Sequence, residues 1–354
     1  MKINVTKILE DALAKNASDL HFTVGCSPFV RIAGRLSSVT EVPILTADDM
    51  ESVLMQLLND QQRGIFQINK ELDLSVSLGK KARVRVNIFS QKGYPSAALR
   101  IIPLGVPKLD TLNLPETVGN MCGLKQGLVL IVGPTGHGKS TTIAAMIDKI
   151  NEERAEHIIT IEDPIEYVFT NKKSMIEQRE MYLDTHSWNV ALKSIFRQDP
   201  NIVVIGEMRD YETIDTALRI SETGHLVFAS LHTNSASQTV ERIISSFPKD
   251  QSREVSMHLS YVIEVVISQR LIPTKDGELI PAVEIMFGTE AVKNLIREEK
   301  THMINNVIST SSQIGMLTLE KSLSLLVDDG KVELEEALKF TPNPEALRRL
   351  LKKK

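Results

Sequence analysis

At 354 residues, of which 42% are hydrophobic, the chain is long enough for two domains with proper cores. A net charge of −4 and a pI near 6.1, with both signs interspersed, exclude a global field that would drive the protein onto DNA or an anionic membrane. Cys26 and Cys122 are the only cysteines, too few for a four-cysteine zinc site or a disulfide framework, and no apolar run approaches the roughly 20 residues of a membrane span.

The N-terminus runs into a polar amphipathic segment rather than a signal peptide, so a cytoplasmic protein with no direct membrane insertion is expected. A first helix is predicted on the face made by Val5, Ile8, Leu9, Ala12 and Leu13. Short strands interrupted by Gly25, Pro28 and Gly34 follow, and then a second helix near residues 48–58. Leu72, Leu74, Val76 and Leu78 alternate with polar residues, as do Ala82, Val84, Val86 and Ile88. Gly79-Lys80-Lys81 between the two runs reads as a hairpin turn. An α+β domain is therefore expected over residues 1–102, and Pro103, Pro107 and Pro115 make 103–116 a linker.

Residues 127–142, GLVLIVGPTGHGKSTT, read as a buried strand, a glycine-rich turn and the start of a helix. Gly133, Pro134, Thr135, Gly136, His137, Gly138, Lys139 and Ser140 fill the pattern G-x-x-x-x-G-K-[ST], with Thr141 next. Glycines let backbone N–H groups turn inward around a polyphosphate, and the helix N-terminus adds its positive dipole end. Lys139 is placed to reach the β and γ phosphates and the Ser140 hydroxyl to hold Mg²⁺. A preceding apolar strand, and a following helix face of Ile143, Met146, Ile147 and Ile150, give the motif its required context. Nucleoside triphosphate binding follows.

Strands and helices then alternate: strands at 157–162, 202–205 and 226–231, helices at 188–196 and about 212–224. Such alternation predicts a mostly parallel sheet with helices on both faces, over residues 117–288. After Ser252 a long helix, a hairpin around Lys275-Asp276-Gly277 and a helical region over 289–354 are expected. Leu317, Leu323, Leu326, Leu334 and Leu338 supply the packing surface of that region, and Lys352-Lys353-Lys354 reads as a solvated tail.

Four segments fall where a nucleotide site needs them. Pro164 disfavours the helical region for Asp163, so the strand before it leaves extended and presents carboxylates at its end. Glu162 is the candidate to orient attacking water, against an acidic capping turn as the alternative. Ile202-Val203-Val204-Ile205-Gly206-Glu207 has the Walker B layout with glutamate, fit to hold Mg²⁺ through water; a generic strand followed by a solvated acid is the alternative. His225 and His232 bracket a buried strand, and His232, at its carboxyl end, is the candidate γ-phosphate sensor rather than a structural histidine. Arg83 and Arg85 share one strand face and Arg100 lies on the next strand. They are either cations delivered to the phosphates from outside the P-loop domain or a solvated face.

These segments, in this order, resemble the secretion ATPase superfamily of type II secretion and type IV pilus motors. Residues 162–166 are similar to its Asp box, 202–210 to its glutamate-bearing Walker B segment and 224–233 to its His box. Ala17-Ser18-Asp19-Leu20-His21 resembles the opening of its PAS-like N-terminal domain. Ala291-Val292-Lys293-Asn294-Leu295-Ile296-Arg297-Glu298 is similar to the AIRNLIRE motif of retraction motors, with Val292 and Lys293 in place of Ile and Arg. An amphipathic helix packed through Val292, Leu295 and Ile296 is the plainer account of that stretch.

The resemblance, nearest to the pilus retraction ATPases, covers almost the whole chain and fades at its C-terminal end. It implies an α/β fold: a RecA-like P-loop NTPase domain, a smaller PAS-like N-terminal α+β domain and a C-terminal helical region. It further implies a homohexamer using ATP and Mg²⁺, with Glu162 as general base and His232 on the γ phosphate. Arg83 and Arg100 would act in trans on a neighbour's nucleotide. The implied partners are the pilus machinery and its PilC-like inner-membrane platform protein; the implied work is pilus retraction and twitching motility. His137 departs from the family, where a small serine is usual. Three competitors remain. Extension or secretion ATPases usually carry a further N-terminal module and often a tetracysteine motif. A RecA-like nucleic-acid translocase is disfavoured by the acidic pI and few aromatic residues. An accessory retraction subunit is not excluded by an intact site.

Overall fold

The computed structural model describes residues 3–32, 34–79, 81–103 and 105–352, so Lys80 of the expected hairpin turn and Lys353 and Lys354 of the tail lie outside it. The chain divides into two compact units, with the main break between Gly105 and Val106.

The first unit opens with α1 (Val5–Ala14), N-capped by Asn4, whose side chain accepts from the Lys7 N–H at 3.0 Å. Its buried face is Val5, Ile8, Leu9 and Ala12. There follow β1 (Ala17–Thr23), β2 (Phe29–Ile32), β3 (Arg35–Ser38), α2 (Ala47–Leu57), α3 (Asp60–Asn69), β4 (Glu71–Leu78), β5 (Ala82–Gln91) and β6 (Tyr94–Pro103). The strands make one antiparallel sheet in the order β3-β2-β1-β6-β5-β4. Ala82, Val84, Val86 and Ile88 of β5 are buried in its core, which puts Arg83 and Arg85 on the opposite face. The periodicity does not predict α3, because Phe66 is its one buried residue and Gly64 interrupts it. Its visible signal is the capping box of Asn59 and Gln62.

The second unit begins with a 3-10 turn (Leu109–Thr111) and α4 (Glu116–Met121). Then come β7 (Gly127–Val132), α5 (Lys139–Glu153), β8 (His157–Glu162), β9 (Met175–Glu180), α6 (Trp188–Ile195) and β10 (Ile202–Ile205). After these run α7 (Tyr211–Glu222), β11 (Leu226–Leu231), α8 (Ala236–Ser245), α9 (Ser252–Val262), β12 (Ile263–Pro273) and β13 (Leu279–Phe287). The sheet order is β13-β12-β7-β11-β10-β8-β9, parallel throughout except for β13, which pairs antiparallel with β12. Every residue of β7, β10 and β11 is buried, as expected for strands covered on both faces.

Two segments differ from the sequence-based expectation. The helix after Ser252 stops at Val262, and Ile263–Pro273 is a strand beside β7. Its β-branched run Ile263, Val265, Val266 and Ile267 favours the pleated, fully buried position. The edge strand β9 is unforeseen, since Met175–Glu180 alternates weakly and is mostly polar.

The C-terminal region is helical: α10 (Glu290–Arg297), α11 (Ile304–Thr310), α12 (Leu319–Asp328), α13 (Leu334–Phe340) and α14 (Pro344–Lys352). Leu319, Leu323 and Leu347 pack with Ile272, Ile280 and Ala282 of the β12–β13 hairpin. In α10, Val292 and Ile296 are fully buried and Leu295 packs beside them. Lys293 pairs with Glu264 at 3.2 Å, leaving Ala291, Asn294 and Glu298 exposed. No helix among the described residues is long and apolar enough to cross a membrane.

Candidate active site

Register brings the functional strands level at one edge of the parallel sheet. Ile205 pairs with Ile161 on one side and Ala229 on the other, and Leu231 pairs with Val132. Gly133, Glu162, Glu207 and His232 therefore leave the sheet at the same carboxyl edge, where open α/β sheets bind ligands.

The loop from Gly133 to Gly138 is built against β12. Gly133 has φ +146°, and a Cβ there would lie 2.3 Å from the Gln269 carbonyl oxygen. Gly138 has φ +79° and immediately precedes α5, so a side chain would be strained at the point where the helix N-terminus opens. Lys139 is buried, and its Nζ donates to the Gly133 and Pro134 carbonyls at 2.8 and 3.0 Å. Ser140 is exposed and Thr141 half-buried at the start of α5. His137 is held by β12: its Nδ1 accepts from the Leu271 N–H at 2.9 Å, and its carbonyl accepts from Gln269 Nε2 at 2.9 Å.

Glu162 ends β8 half-buried, with Oε1 accepting from Thr160 Oγ1 at 2.6 Å and from Gln178 Nε2 at 3.1 Å. Glu207 follows Gly206, whose N–H donates to the Ile161 carbonyl at 2.8 Å. A Cβ at Gly206 would come within 3.3 Å of the Glu162 Cα, so the two acidic segments pass close together. Ser230 Oγ donates to the Gly206 carbonyl at 2.5 Å and the Met208 N–H donates to the Ser230 carbonyl at 3.0 Å, which pins the turn to β11. Glu207 Oε1 is 2.9 Å from His232 Nε2, and Oε2 accepts from Arg209 Nε at 2.8 Å.

The segment after Glu207 divides three ways. Met208 is core. Arg209 braces Glu207 and lies 3.9 Å from Asp163; that hydrogen bond to Glu207 raises the guanidinium pKa above its ordinary value. Asp210 caps α7 by accepting from the Thr213 N–H at 2.8 Å.

The two histidines separate. His232 Nδ1 is 3.3 Å from both Lys139 Nζ and Thr135 Oγ1, inside the site. His225, at the other end of β11, has Nδ1 3.0 Å from the Ile220 carbonyl and 3.0 Å from Thr223 Oγ1, finishing α7. Arg83, Arg85 and Arg100 belong to the first unit. Arg85 pairs in register with Arg100, and Asp19 on β1 with Arg100 from the other side. Arg100 Nε donates to Asp19 at 3.0 Å. Burial pushes the Asp19 carboxyl up, but hydrogen bonds from Ser18 and Arg100 outweigh it and hold it below the usual range.

A glycine cradle at a helix N-terminus, a buried lysine and hard oxygen donors at Ser140 and Glu207 fit a polyphosphate with Mg²⁺. Sequence patterns did not mark Gln269, Thr160 or Gln178; the available signal was a polar residue inside a strand. Comparison with known proteins gives the family. The profile of the family described as type II/IV secretion system protein matches residues 1–301. The type IV pilus retraction ATPase PilT of Pseudomonas aeruginosa is 41% identical over 97% of this chain and 99% of its own length. The type IV pilus ATPase PilU of the same organism is 40% identical over 98% of this chain and 91% of its own. The crystal structure of the pilus retraction motor PilT with bound ADP superposes with a TM-score of 0.92, at 41% identity, covering 98% of this chain and 100% of that one. From its first strand to its helical C-terminal region, the chain belongs to the type II/IV secretion system ATPase family.

Proposed function

We propose that this chain is the subunit of an ATP-hydrolysing motor that powers type IV pilus retraction. The observation that carries the reading is 41% identity to a retraction ATPase over 97% of this chain, with the phosphate loop, both acids and His232 gathered at one sheet edge. The glycine loop and the α5 N-terminus bind the phosphates, and Lys139 turns from the loop carbonyls to them. Mg²⁺ bound with the nucleotide would supply charge neutralisation for the phosphates. Ser140 and Glu207 are the residues that hold it, directly or through water. Glu162, oriented by Thr160 and Gln178, positions the attacking water and takes its proton. His232 contacts the γ phosphate and passes its presence to Glu207.

The working assembly is a homohexamer on the cytoplasmic side of the inner membrane, docked on the pilus platform protein. Residues 1–102 serve as its PAS-like domain, 117–288 as its RecA-like motor and 289–354 as its C-terminal region. Arg83 and Arg100 serve a neighbour's nucleotide in trans, and Arg100 exchanges Asp19 for phosphate. Mixing inactive Arg100→Ala protein with inactive Lys139→Ala protein should restore part of the hydrolysis, since mixed rings contain complete sites. No recovery would remove the trans role.

Likeness to PilU supports a second reading, an accessory retraction subunit. Steady turnover by the isolated protein would exclude it. For the direction of force, surface pili counted by electron microscopy on cells lacking the gene should exceed wild type, with twitching lost. Bald cells would mean an extension motor.

A further inference from the structure

The exit of β12 reaches back onto the phosphate loop. Gln269 is buried; its Oε1 accepts from Thr142 Oγ1 at 2.8 Å in α5, and its Nε2 donates to the His137 carbonyl at 2.9 Å. Two residues on, the Leu271 N–H donates to His137 Nδ1 at 2.9 Å. A backbone N–H only donates, so Nδ1 is the acceptor and the ring in this arrangement is neutral, with its proton on Nε2. The charged groups facing the ring are Arg270 from β12 and Lys139 from α5. Burial first, then those two cations, push the His137 pKa below its ordinary value, which favours the neutral form the contact needs.

We propose that His137 is a positioning residue for nucleotide binding: its neutral imidazole ties the phosphate loop to Leu271 of β12 and holds the loop's N–H groups turned toward the phosphates. The side chain itself makes no demand on the phosphates. Protonation sets Nδ1–H against the Leu271 N–H, donor against donor, and the tie is lost. A looser loop binds ground and transition states less well alike, so KM and Kd rise while kcat holds.

The inference rests on the loop binding nucleotide, and one experiment separates the two. The Kd of a fluorescent ADP analogue is measured from about pH 8 to about pH 5.5 for wild type, His137→Asn and His137→Leu. Asparagine Oδ1 occupies the place of Nδ1 and accepts at every pH; leucine never accepts. Protonation of the ADP phosphates affects all three proteins, so the ratios carry the result. Wild-type affinity should fall progressively relative to His137→Asn toward the acid end, by at most about fivefold, the scale of one hydrogen bond. His137→Leu should be weaker than His137→Asn by about that factor throughout. A wild-type to His137→Asn ratio that stays constant with pH would overturn the proposal, as would leucine binding as tightly as asparagine. Wild type that fails to bind at any pH would overturn the nucleotide reading as well.

Discussion

His232 joins the phosphate-loop lysine to the Walker B acid through a single ring: Nδ1 is 3.3 Å from Lys139 Nζ and Nε2 is 2.9 Å from Glu207 Oε1. An ammonium only donates, so Nδ1 accepts and Nε2–H is given to Glu207. The second carboxylate oxygen is taken by Arg209 at 2.8 Å. Glu207 is thus held from two sides, and the ring that forms one of them also accepts from Lys139.

Removing that ring should uncouple the two groups. His232→Ala is expected to lower kcat by about tenfold to a hundredfold, the scale for a group that orients a metal-binding carboxylate. KM for ATP should change far less, because the loop and Lys139 remain. Steady-state phosphate release checks both constants. An unchanged kcat would leave His232 a surface residue.

Glu162 has a different signature. Thr160 and Gln178 both donate to its Oε1, at 2.6 and 3.1 Å, so its charge is held in a fixed place. Glu162→Gln keeps the size and loses the base. Hydrolysis should fall by about a hundredfold or more while nucleotide binding stays intact. Single-turnover hydrolysis beside equilibrium binding separates the two, and parallel loss of both would argue for a structural role instead.

Gly133→Ala tests the cradle. The new Cβ would meet the Gln269 carbonyl oxygen at 2.3 Å, in backbone with φ +146°. Strain of this kind costs on the order of 1–3 kcal/mol, and relief requires moving the loop off β12. Nucleotide binding should be lost and the melting temperature lowered by several degrees. Gly224→Ala is the control: φ is +95° there, but nothing lies within 4 Å of the new atom. It should destabilise the protein with binding retained.

What the sequence made legible follows from where each signal originates. β8, β10 and β11 match their expected spans residue for residue, because their apolar runs end at Pro, Gly or charged punctuation. Glu162, Glu207 and His232 stand at those ends and Lys139 opens the helix after β7, so parallel pairing of these strands places them at one edge. Gln269 could not be found that way. It acts on His137 across 132 residues, and only the parallel pairing of β12 with β7 brings them into contact. The α9–β12 boundary was illegible for a local reason, since a short apolar run fits a buried helix and a buried strand equally well. Arg209 was illegible because one charged residue after Walker B can turn to solvent or to Glu207, and spacing does not decide between them.

Glu284 gives the clearest pH prediction. It lies buried on β13, and its Oε1 accepts from the Ala236 N–H at 2.7 Å, at the start of α8. Burial pushes its carboxyl up to about 7; the Ala236 hydrogen bond opposes this, nearby Glu320 adds to it and Arg270 opposes it. The folded value stands above the ordinary 4.5, so folding favours the protonated acid. That stabilisation is fully present below about pH 4.5 and is lost as pH rises through about 7. Above this range the protein bears the cost of a buried charge, of order 3 kcal/mol at most. Glu284→Gln keeps the oxygen that receives the Ala236 N–H and cannot ionise. The variant should match wild type near pH 5 and exceed its stability near pH 8.5 by about 1–3 kcal/mol, read as a growing gap between urea midpoints. Parallel midpoints across that range would mean that the Glu284 carboxylate is solvated in the folded protein.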